Sequence, residues 1–274
     1  MKPPMVGGCD LVGKVLETGP GSINVGDTVI VNGWGIGTDH YGGYAGEARI
    51  RSDWAIKLPA GMSGKDAAKI GTAGYTAMLC VQAMEHSGDI SGPVLVTGAT
   101  GGVGSISILL LAQLGYHVVA VSGKAEAEAE YLKSLGAAEV VTRSLFEGES
   151  KPLGRETYGG CIDSCGGKVL TNILPLIKHS GVVAACGLAS GMSLNTTVAP
   201  FILRGVTLAG VESGLIPLER RITAYTKFAS LLTPEKLSLV SEDDKTVGLG
   251  QVPGICDKML QGEIKGRYVV DPKI

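Results

Sequence analysis

The sequence has no Cys-x-x-Cys pair, no apolar run as long as the ~18 residues of a membrane-spanning helix, and little excess of either charge. Its six cysteines are dispersed, and only Cys161 and Cys165 lie close together, without further ligands nearby in the sequence. We therefore expect reduced thiols and no zinc site. A net charge of −2 excludes the basic surface that binds nucleic acid or anionic membranes. The first residues, MKPPMVGG, resemble no targeting signal, so we expect a cytoplasmic protein.

A glycine-dense turn between two apolar segments is the most informative feature that is present. Residues 94–105 read VLVTGATGGVGS, and an apolar segment continues to residue 114. A strand, a glycine loop and a helix in this order are typical of a dinucleotide-binding fold. With Ala99, Gly101 and Gly104 in the three fingerprint positions, Gly101 lets a pyrophosphate approach the backbone and Gly104 lets the helix pack on the strand. The pyrophosphate then lies at the helix N-terminus, which favours an anion.

Two other nucleotide-binding classes lack their motifs here. No Gly-Lys pair is followed by Ser or Thr, which excludes a P-loop. No Tyr-x-x-x-Lys pair occurs either, which excludes the catalytic pair of short-chain dehydrogenases, whose glycine turn is similar.

The end of the next predicted strand indicates which dinucleotide binds. That strand, residues 116–121, is followed by Ser122, Gly123 and Lys124. About twenty residues after the loop, NAD-binding proteins place Asp or Glu on the ribose 2′-hydroxyl. A hydroxyl and an ammonium without a carboxylate instead suit a 2′-phosphate. We therefore predict tighter binding of NADPH than of NADH.

Strands and helices alternate from the glycine loop onward. Predicted strands lie at residues 94–97, 117–121, 139–141, 160–164, 181–186 and 206–211, and predicted helices at 102–114, 125–135 and 168–177. This pattern predicts an α/β fold with a doubly wound parallel sheet. The first ninety residues are different, because strands at 11–16, 27–31 and 44–50 between glycine turns predict a small β-rich domain.

The remaining predicted elements are helices and one short strand. The helices lie at residues 74–85, 217–232 and 252–260, and a last strand lies at 267–270. The acidic residues 242–244 predict a solvated loop.

Longer motifs resemble one family of oxidoreductases. GTAGYTAML at 71–79, followed by TGATGGVGS and VAVSGK, is similar to the zinc-free medium-chain dehydrogenase/reductases, which are quinone oxidoreductase-like enzymes. Further segments resemble the acryloyl-CoA reductase branch: NGWGIGTDHYGGYAGEARI, SDWAIKLP, YLKSLGA, ACGLASG and PFILRGVTLAGVES. The resemblance implies a doubly wound Rossmann domain at 74–213 that binds NADPH. It also implies a smaller GroES-like catalytic domain formed by residues 1–73 and 214–274.

The resemblance also implies a set of cofactor contacts and an oligomeric state. The implied contacts are Thr100, Gly101, Gly102, Val103, Ser122, Gly123, Lys124, Ser164, Leu208 and Arg267. Lys124 stands where the relatives usually carry arginine, so the charge is kept and the bidentate fork is lost. The last strand of the sheet would be an exposed apolar edge, through which we expect an isologous homodimer.

The resemblance implies roughly fifty to sixty further residues before the segment PMVGGCD at 4–10, including an Asn-Tyr pair beside the nicotinamide. We therefore expect an N-terminally shortened GroES-like domain and, for a chain that begins at Met1, NADPH binding that survives better than turnover. The segment Gly8-Cys9-Asp10 replaces the His-Glu of zinc-dependent relatives, so no metal is expected.

These expectations lead to one predicted reaction and two alternatives. The predicted reaction is the NADPH-dependent reduction of an activated carbon–carbon double bond, from acryloyl-CoA to propanoyl-CoA. The alternatives are a quinone reductase and a catalytically impaired NADPH-binding protein, either a sensor or a structural protein. No catalytic residue is assigned. The candidates for a proton donor are Asp39, His40, Tyr41, Thr72 and Tyr75.

Overall fold

The computed structural model describes residues 3–88, 90–241 and 245–274, which divide into two compact units. The first unit contains residues 1–75 and 212–274, and the second contains residues 76–211. The loop predicted at residues 242–244 lies outside the described residues. Within the described part of the chain, no helix has the length and apolar character needed to cross a membrane.

A small antiparallel sheet begins the first unit. Its strands are β1 (Asp10–Lys14), β2 (Thr28–Asn32) and β3 (Ile56–Lys57), with β2 in the middle. Val29 and Val31 of β2 are buried in a core with Ile23, Ile36 and Ala55. Apolar residues two apart on a strand share one face, so this alternation explains how β2 covers the core.

The prediction of a strand at residues 44–50 is wrong. That segment has no regular structure, and isolated backbone bonds hold its first residue, Tyr44, and the preceding Gly43. Gly43 N donates to Gly8 O and Tyr44 N donates to Gly7 O, both over 3.0 Å. An added Cβ at Gly43 would lie on the carbonyl oxygen of Asp10. The two segments of the chain therefore pack more closely here than a side chain at position 43 would allow.

The helix α1 (Gly64–Ser87) begins ten residues before the predicted start at 74, and it is interrupted at Gly71. Gly71 has a φ of 49° and a ψ of −162°, a conformation that favours glycine. A Cβ at Gly71 would lie 2.5 Å from Nη2 of Arg267 and 2.7 Å from Oδ2 of Asp10, so a side chain there would collide with both.

The second unit is built on a six-stranded sheet whose paired strands are all parallel. The strands are β4 (Val94–Thr97), β5 (Val118–Ser122), β6 (Glu139–Thr142), β7 (Tyr158–Asp163), β8 (Ile177–Ala185) and β9 (Thr207–Gly210). Their order is β6-β5-β4-β7-β8-β9, which confirms the predicted doubly wound sheet. The order reverses between β4 and β7, and ligands of such sheets bind in the crevice at this switch point.

After the C-terminal part of α1, the second unit contains the helices α2 (Gly102–Gln113), α3 (Ala129–Ser134), α4 (Gly167–Ile173) and α5 (Ala199–Arg204). Helix α2 ends one residue before its predicted end, and α3 and α4 are several residues shorter than predicted. Helix α3 begins four residues after the predicted start, because residues 125–128 form a turn and not helix. Helix α4 ends at Ile173 because Pro175, which lacks an N–H, lies in the 3₁₀ turn that follows, and β8 begins at once.

The strand β4 and the helix α2 pack together through a glycine. A Cβ at Gly104 would lie 2.3 Å from Gly98 O and 2.7 Å from Ala99 Cα. Both neighbours are backbone atoms, so they cannot move aside as a flexible side chain would. This contact sets how closely the N-terminal turn of α2 approaches the loop after β4.

The C-terminal part of the first unit contains α6 (Leu218–Leu231), α7 (Pro234–Ser238), β10 (Thr246–Val247), α8 (Val252–Leu260) and β11 (Val269–Val270), and β10 pairs with β11 in parallel. Arg221 of α6 is completely buried in this unit. Its guanidinium lies 4.4 Å from the ring centroid of Trp34 and 5.3 Å from that of Tyr75. It also donates to Ile216 O, Asn32 O, Asn32 Oδ1 and Gly214 O.

Arg221→Ala should lower the free energy of unfolding by about 3 kcal/mol or more, because it leaves several buried carbonyl acceptors without a donor. The measurement is thermal unfolding followed by circular dichroism. Arg220→Ala, an exposed change on the same helix, is the matched control and should alter the melting temperature little. Equal melting temperatures for the two variants would contradict the role of Arg221 in stabilising the first unit.

Gly104→Ala should destabilise the second unit by about 1–3 kcal/mol, because the new methyl group meets fixed backbone atoms. Gly148→Ala provides the comparison, since a Cβ at Gly148 has no atom within 4 Å. Differential scanning calorimetry of both variants tests the difference. A Gly104→Ala protein that melts no lower than Gly148→Ala would show that α2 moves aside without cost.

Candidate functional site

The loop between β4 and α2 can bind an anion. Gly98 has a φ of 58°, and Gly101 precedes α2 in an extended conformation. The first N–H groups of a helix have no intrahelical acceptor and carry its positive dipole end. No side chain caps α2, and its first turn contains no acidic residue. The backbone of Thr100, Gly101, Gly102 and Val103, four predicted contacts, therefore lies where a phosphate would be stabilised.

The loop after β7 meets this glycine loop at the switch point of the sheet. Ser164 Oγ donates to Thr97 O over 3.0 Å, and Ser164 N donates to Thr97 Oγ1 over 3.0 Å. A Cβ at Gly98 would lie 2.4 Å from Ser164 Oγ. The predicted contact Ser164 is therefore held directly against the glycine loop, and Gly98 must lack a side chain for this to happen.

Asp163 supports this junction and was missed by the sequence analysis. Its side chain is completely buried, accepts from Thr97 Oγ1 over 2.7 Å, and accepts from Gly166 N over 2.8 Å. Burial raises the pKa of Asp163, and hydrogen bonds from Thr97, Gly166 and Cys165 oppose the rise. A carboxyl group at the end of a predicted buried strand was the available signal, since buried carboxylates need partners.

The turn after β5 carries three further predicted contacts. Ser122 is buried, Gly123 is exposed, and Lys124 is half-buried. Lys124 N donates to Ser122 Oγ over 3.0 Å, which closes the turn. The turn thus combines a hydroxyl and a cation with no carboxylate of its own, a donor set that fits a phosphate monoester.

A second cation, Arg143, lies against this turn and was not predicted. A Cβ at Gly123 would be 3.5 Å from both Cζ and Nη1 of Arg143. Arg143 directly follows β6, the parallel neighbour of β5, so the carboxyl ends of the two strands bring Arg143 and Gly123 together. The sequence contained this signal, because Arg143 lies just beyond a predicted strand of the same sheet.

The last two predicted contacts lie apart from these loops in the sequence. Leu208 is in β9, half-buried, and pairs in register with Val183 of β8. Arg267 belongs to the first unit, where its Nε donates to Lys69 O over 3.0 Å and its Nη2 lies 3.9 Å from Asp10 Oδ2. The other nine predicted contacts all belong to the second unit.

Two of the proposed proton donors are engaged within the first unit. Tyr75 is completely buried and stacks on Tyr225 with 5.8 Å between ring centroids. Burial raises the pKa of Tyr75 strongly, and Tyr75 Oη has no hydrogen-bond partner among the described residues. Thr72 N and Oγ1 both donate to Asp10 Oδ1, so Asp10 caps the helical segment that begins after Gly71. The Tyr75 hydroxyl is therefore buried, and the Thr72 hydroxyl is bonded to Asp10.

Two other candidates line an open cavity of about 210 Å³ in the first unit. The lining residues are Ile36, His40, Tyr41, Arg49, Ile50, Arg51 and Trp54. The His40 ring lies 4.9 Å from that of Trp54, and Tyr41 is 61% exposed. Asp39 does not line this cavity; its Oδ2 accepts from Thr38 Oγ1 over 3.4 Å. This cavity thus places an imidazole and a phenol within reach of a bound molecule.

No group of three or more His, Cys, Asp or Glu side chains in the described ranges is placed to hold a metal ion. The six thiols are all free, and Cys80, Cys161 and Cys165 are buried. Burial raises the pKa of the Cys161 thiol well above its usual value, so this group is a protonated core residue.

Comparison with known proteins matches both parts of the chain to one enzyme family. Residues 1–60 match the GroES-like domain of alcohol dehydrogenases, and residues 102–230 match the zinc-binding dehydrogenases. A probable acrylyl-CoA reductase, AcuI, of Escherichia coli is 45% identical over 97% of this chain and 82% of its own length. The acrylyl-CoA reductase AcuI of Ruegeria pomeroyi is 43% identical over 98% of this chain and 82% of its own length.

A solved structure shows the same architecture. The yhdH oxidoreductase of Salmonella enterica, in complex with NADP, superposes with a TM-score of 0.95 at 43% sequence identity, covering 98% of this chain and 82% of that one. Both domain matches, the sequence identity and the shared fold lead to the same assignment. The chain belongs to the medium-chain dehydrogenase/reductase family, with acrylyl-CoA reductases among its relatives.

Proposed function

We propose that this protein is an NADPH-dependent oxidoreductase that reduces the carbon–carbon double bond of acryloyl-CoA to give propanoyl-CoA. The observation that carries the proposal is the anion site of the second unit: the uncapped N-terminus of α2 together with the acid-free turn of Ser122, Gly123 and Lys124. Two relatives with 45% and 43% identity carry the name acrylyl-CoA reductase, which supports this substrate. The NADP complex of the Salmonella enterica oxidoreductase supports the cofactor.

The chain's own groups have separate tasks in holding NADPH. The backbone N–H groups of the first turn of α2 suit the pyrophosphate, and Ser122 with Lys124 suits the 2′-phosphate. Ser164, fixed on Thr97, lies at the switch point of the sheet, where the crevice of such folds opens. When bound, the nicotinamide supplies the hydride that reaches the β-carbon of the thioester.

The remaining chemistry falls to groups of this chain that contact the substrate. Hydride addition at the β-carbon places negative charge on the thioester oxygen, which needs a hydrogen-bond donor, and the α-carbon needs a proton. Tyr75 is buried in the first unit and Thr72 is bonded to Asp10, whereas His40 and Tyr41 line the 210 Å³ cavity with Arg49 and Arg51. Tyr41 is therefore the first candidate for the donor.

With NADPH and acryloyl-CoA, the protein should consume NADPH and form propanoyl-CoA in equal amounts, because one hydride and one solvent-derived proton saturate one double bond. Loss of absorbance at 340 nm, together with chromatography of the thioesters, measures both quantities. A fluorescence titration of NADPH with the same preparation separates binding from turnover. NADPH binding without propanoyl-CoA would refute the reductase assignment and favour the impaired NADPH-binding protein, whereas turnover of a benzoquinone alone would favour the quinone reductase.

The same assay tests whether Tyr41 is the proton donor. If Tyr41 donates, Tyr41→Phe should lower kcat while leaving the dissociation constant of NADPH unchanged. Tyr116→Phe, a matched change in the second unit, should leave both unchanged. Full activity of Tyr41→Phe would remove Tyr41 as the donor without touching the substrate assignment.

We also propose that the protein is a homodimer formed at the β9 edge of the parallel sheet. β9 is a terminal strand, and the neighbouring α5 exposes Ile202 by 72% and Leu203 by 62%. An open strand edge beside exposed apolar side chains favours pairing with a second copy. A twofold axis at this edge would make the interface isologous.

The double change Ile202→Glu and Leu203→Glu should convert the dimer to a monomer, because it places four carboxylates in the paired interface. Size-exclusion chromatography with light scattering at micromolar concentration measures the mass. Leu260→Glu, at an 88% exposed position of α8, is the control and should stay dimeric. A monomeric wild-type protein would overturn the proposal, and so would a double variant that remains dimeric.

A further inference from the structure

We propose that Cys80 and Cys186 form a redox modification site, at which hydrogen peroxide joins the two thiols in a disulfide. Both cysteines belong to the second unit, and the disulfide would tie α1 to the loop that follows β8. Cys80 is completely buried on α1, and Cys186 is half-buried directly after the last residue of β8. Neither thiol has a part in the proposed reduction.

The C-terminal end of α1 packs directly on the first residues of β7 and β8. A Cβ at Gly88, just after the helix, would lie 2.9 Å from Val182 Cγ2. A Cβ at Gly160 of β7 would lie 2.7 Å from Met84 Cε. Gly160 pairs in register with Val182, so both contacts are on the same face of the sheet. Because later helix residues meet earlier strand residues, α1 runs antiparallel to the strands.

This packing places the two thiols against each other. Cys80 lies one helical turn before Met84, which moves it about 6 Å towards the carboxyl ends of the strands. Val182, Ala184 and Cys186 alternate onto the face that α1 covers, at about 6.6 Å for each two residues. A helical side chain also leans towards the helix N-terminus, here towards Cys186. The Cys80 and Cys186 side chains are accordingly hydrogen-bonded to each other.

The two thiols have different environments, which gives them different roles. The hydrogen bond with Cys186, together with burial, raises the pKa of Cys80 well above its usual value, so Cys80 keeps its proton. Cys186 Sγ donates to Asp163 O over 3.4 Å and is the member of the pair that is partly exposed. Peroxide therefore reaches Cys186 first, and Cys80 is the thiol that completes the disulfide.

The two other cysteines of this region lie on the opposite face of the sheet. Cys161 is adjacent to Gly160 on β7, and adjacent residues of a strand point to opposite faces, so Cys161 points away from α1. Cys161 and Cys165 are buried in one core cluster with Val169 of α4. The sheet thus separates these two thiols from Cys80, and the geometry selects Cys186 as its partner.

The oxidation needs two steps and one molecule of hydrogen peroxide. Cys186 sulfur attacks the peroxide, its S–O bond forms as the O–O bond breaks, and a sulfenic acid and one water result. Cys80 sulfur then attacks the sulfenic sulfur, the S–S bond forms and the S–O bond breaks. The departing hydroxide takes the Cys80 proton and leaves as a second water. Two thiols are oxidised to one disulfide, and the peroxide is reduced to two waters.

The disulfide would act on the loop that contacts Ser164. A Cβ at Gly187 would lie 2.4 Å from Ser164 O, and Ala189 N donates to Ser164 O over 3.3 Å. An S–S bond of about 2.05 Å is shorter than the contact between two thiols, so its formation draws Cys186 towards α1 and away from Asp163 O. We expect weaker NADPH binding by the oxidised protein. This consequence, unlike the disulfide itself, rests on the proposed cofactor.

Peptide mapping tests the disulfide without any cofactor. The full chain is treated with hydrogen peroxide, its free thiols are alkylated, and its peptides are analysed by mass spectrometry without reduction. We expect a peptide pair that joins Cys80 to Cys186 and that dithiothreitol separates. Cys165→Ala, which removes a buried thiol on the other face, is the matched control and should give the same pair, whereas Cys186→Ala should leave Cys80 unpaired. Treated wild type in which Cys80 and Cys186 stay unmodified, carry only added oxygen or join other cysteines would overturn the proposal.

A fluorescence titration of NADPH with reduced and oxidised protein measures the effect on the cofactor. Oxidation should raise the dissociation constant about fivefold or more, a size typical of coupling between two sites, and dithiothreitol should reverse the change. Cys186→Ala should give the same constant before and after peroxide, and melting temperatures report whether the variants are folded. A disulfide that leaves the NADPH constant unchanged would overturn its control of the cofactor site. Reduced wild type that does not bind NADPH would refute the proposed cofactor and leave the mapped disulfide standing.

Discussion

The hydrogen bond between Thr97 Oγ1 and the buried carboxyl group of Asp163 joins the two halves of the nucleotide-binding sheet. β4 and β7 diverge in connectivity at this point, because β4 leads towards one edge of the sheet and β7 towards the other. The last paired residues of these strands are Val96 and Ile162, so the bond between Thr97 and Asp163 extends their contact one residue beyond the ladder. Ser164 N and Oγ also donate to Thr97, which places Ser164 on the glycine loop.

Close backbone approach is the second condition for this site. Because Gly98 has no side chain, Ser164 Oγ can approach it closely. Because Gly104 has none, the carbonyl oxygen of Gly98 can approach it in the same way. The two glycines therefore act on different neighbours, one on the loop after β7 and the other on the packing of α2. An anion at the α2 N-terminus then meets backbone N–H groups that are already oriented, so binding requires little further ordering.

The first unit uses its polar groups to hold its own fold. Arg221 donates hydrogen bonds to Asn32 at the end of β2 and to Gly214 before α6. Its guanidinium also contacts the rings of Trp34 and Tyr75. Burial lowers the pKa of Arg221, a direct sign of the cost of placing this cation in the core. Carbonyl oxygens and aromatic faces offset this cost, and Tyr75 is consequently a packing residue in this structure.

The sequence by itself determined the doubly wound sheet, the glycine loop, the helix that follows it and the acid-free turn at Ser122 to Lys124. Each of these depends on local patterns: apolar runs for buried parallel strands, glycine for close approach, and residue types at a strand end. Local patterns gave wrong predictions where contacts with residues far away in the sequence determine the conformation. The segment 44–50 alternates like a strand, but its first residue, Tyr44, donates to Gly7 O and the segment forms no ladder. Only the tertiary structure placed Asp163 on Thr97, Arg143 on Gly123 and Arg221 in the core, because each contact joins residues that are 20 or more positions apart and depends on strand order and register.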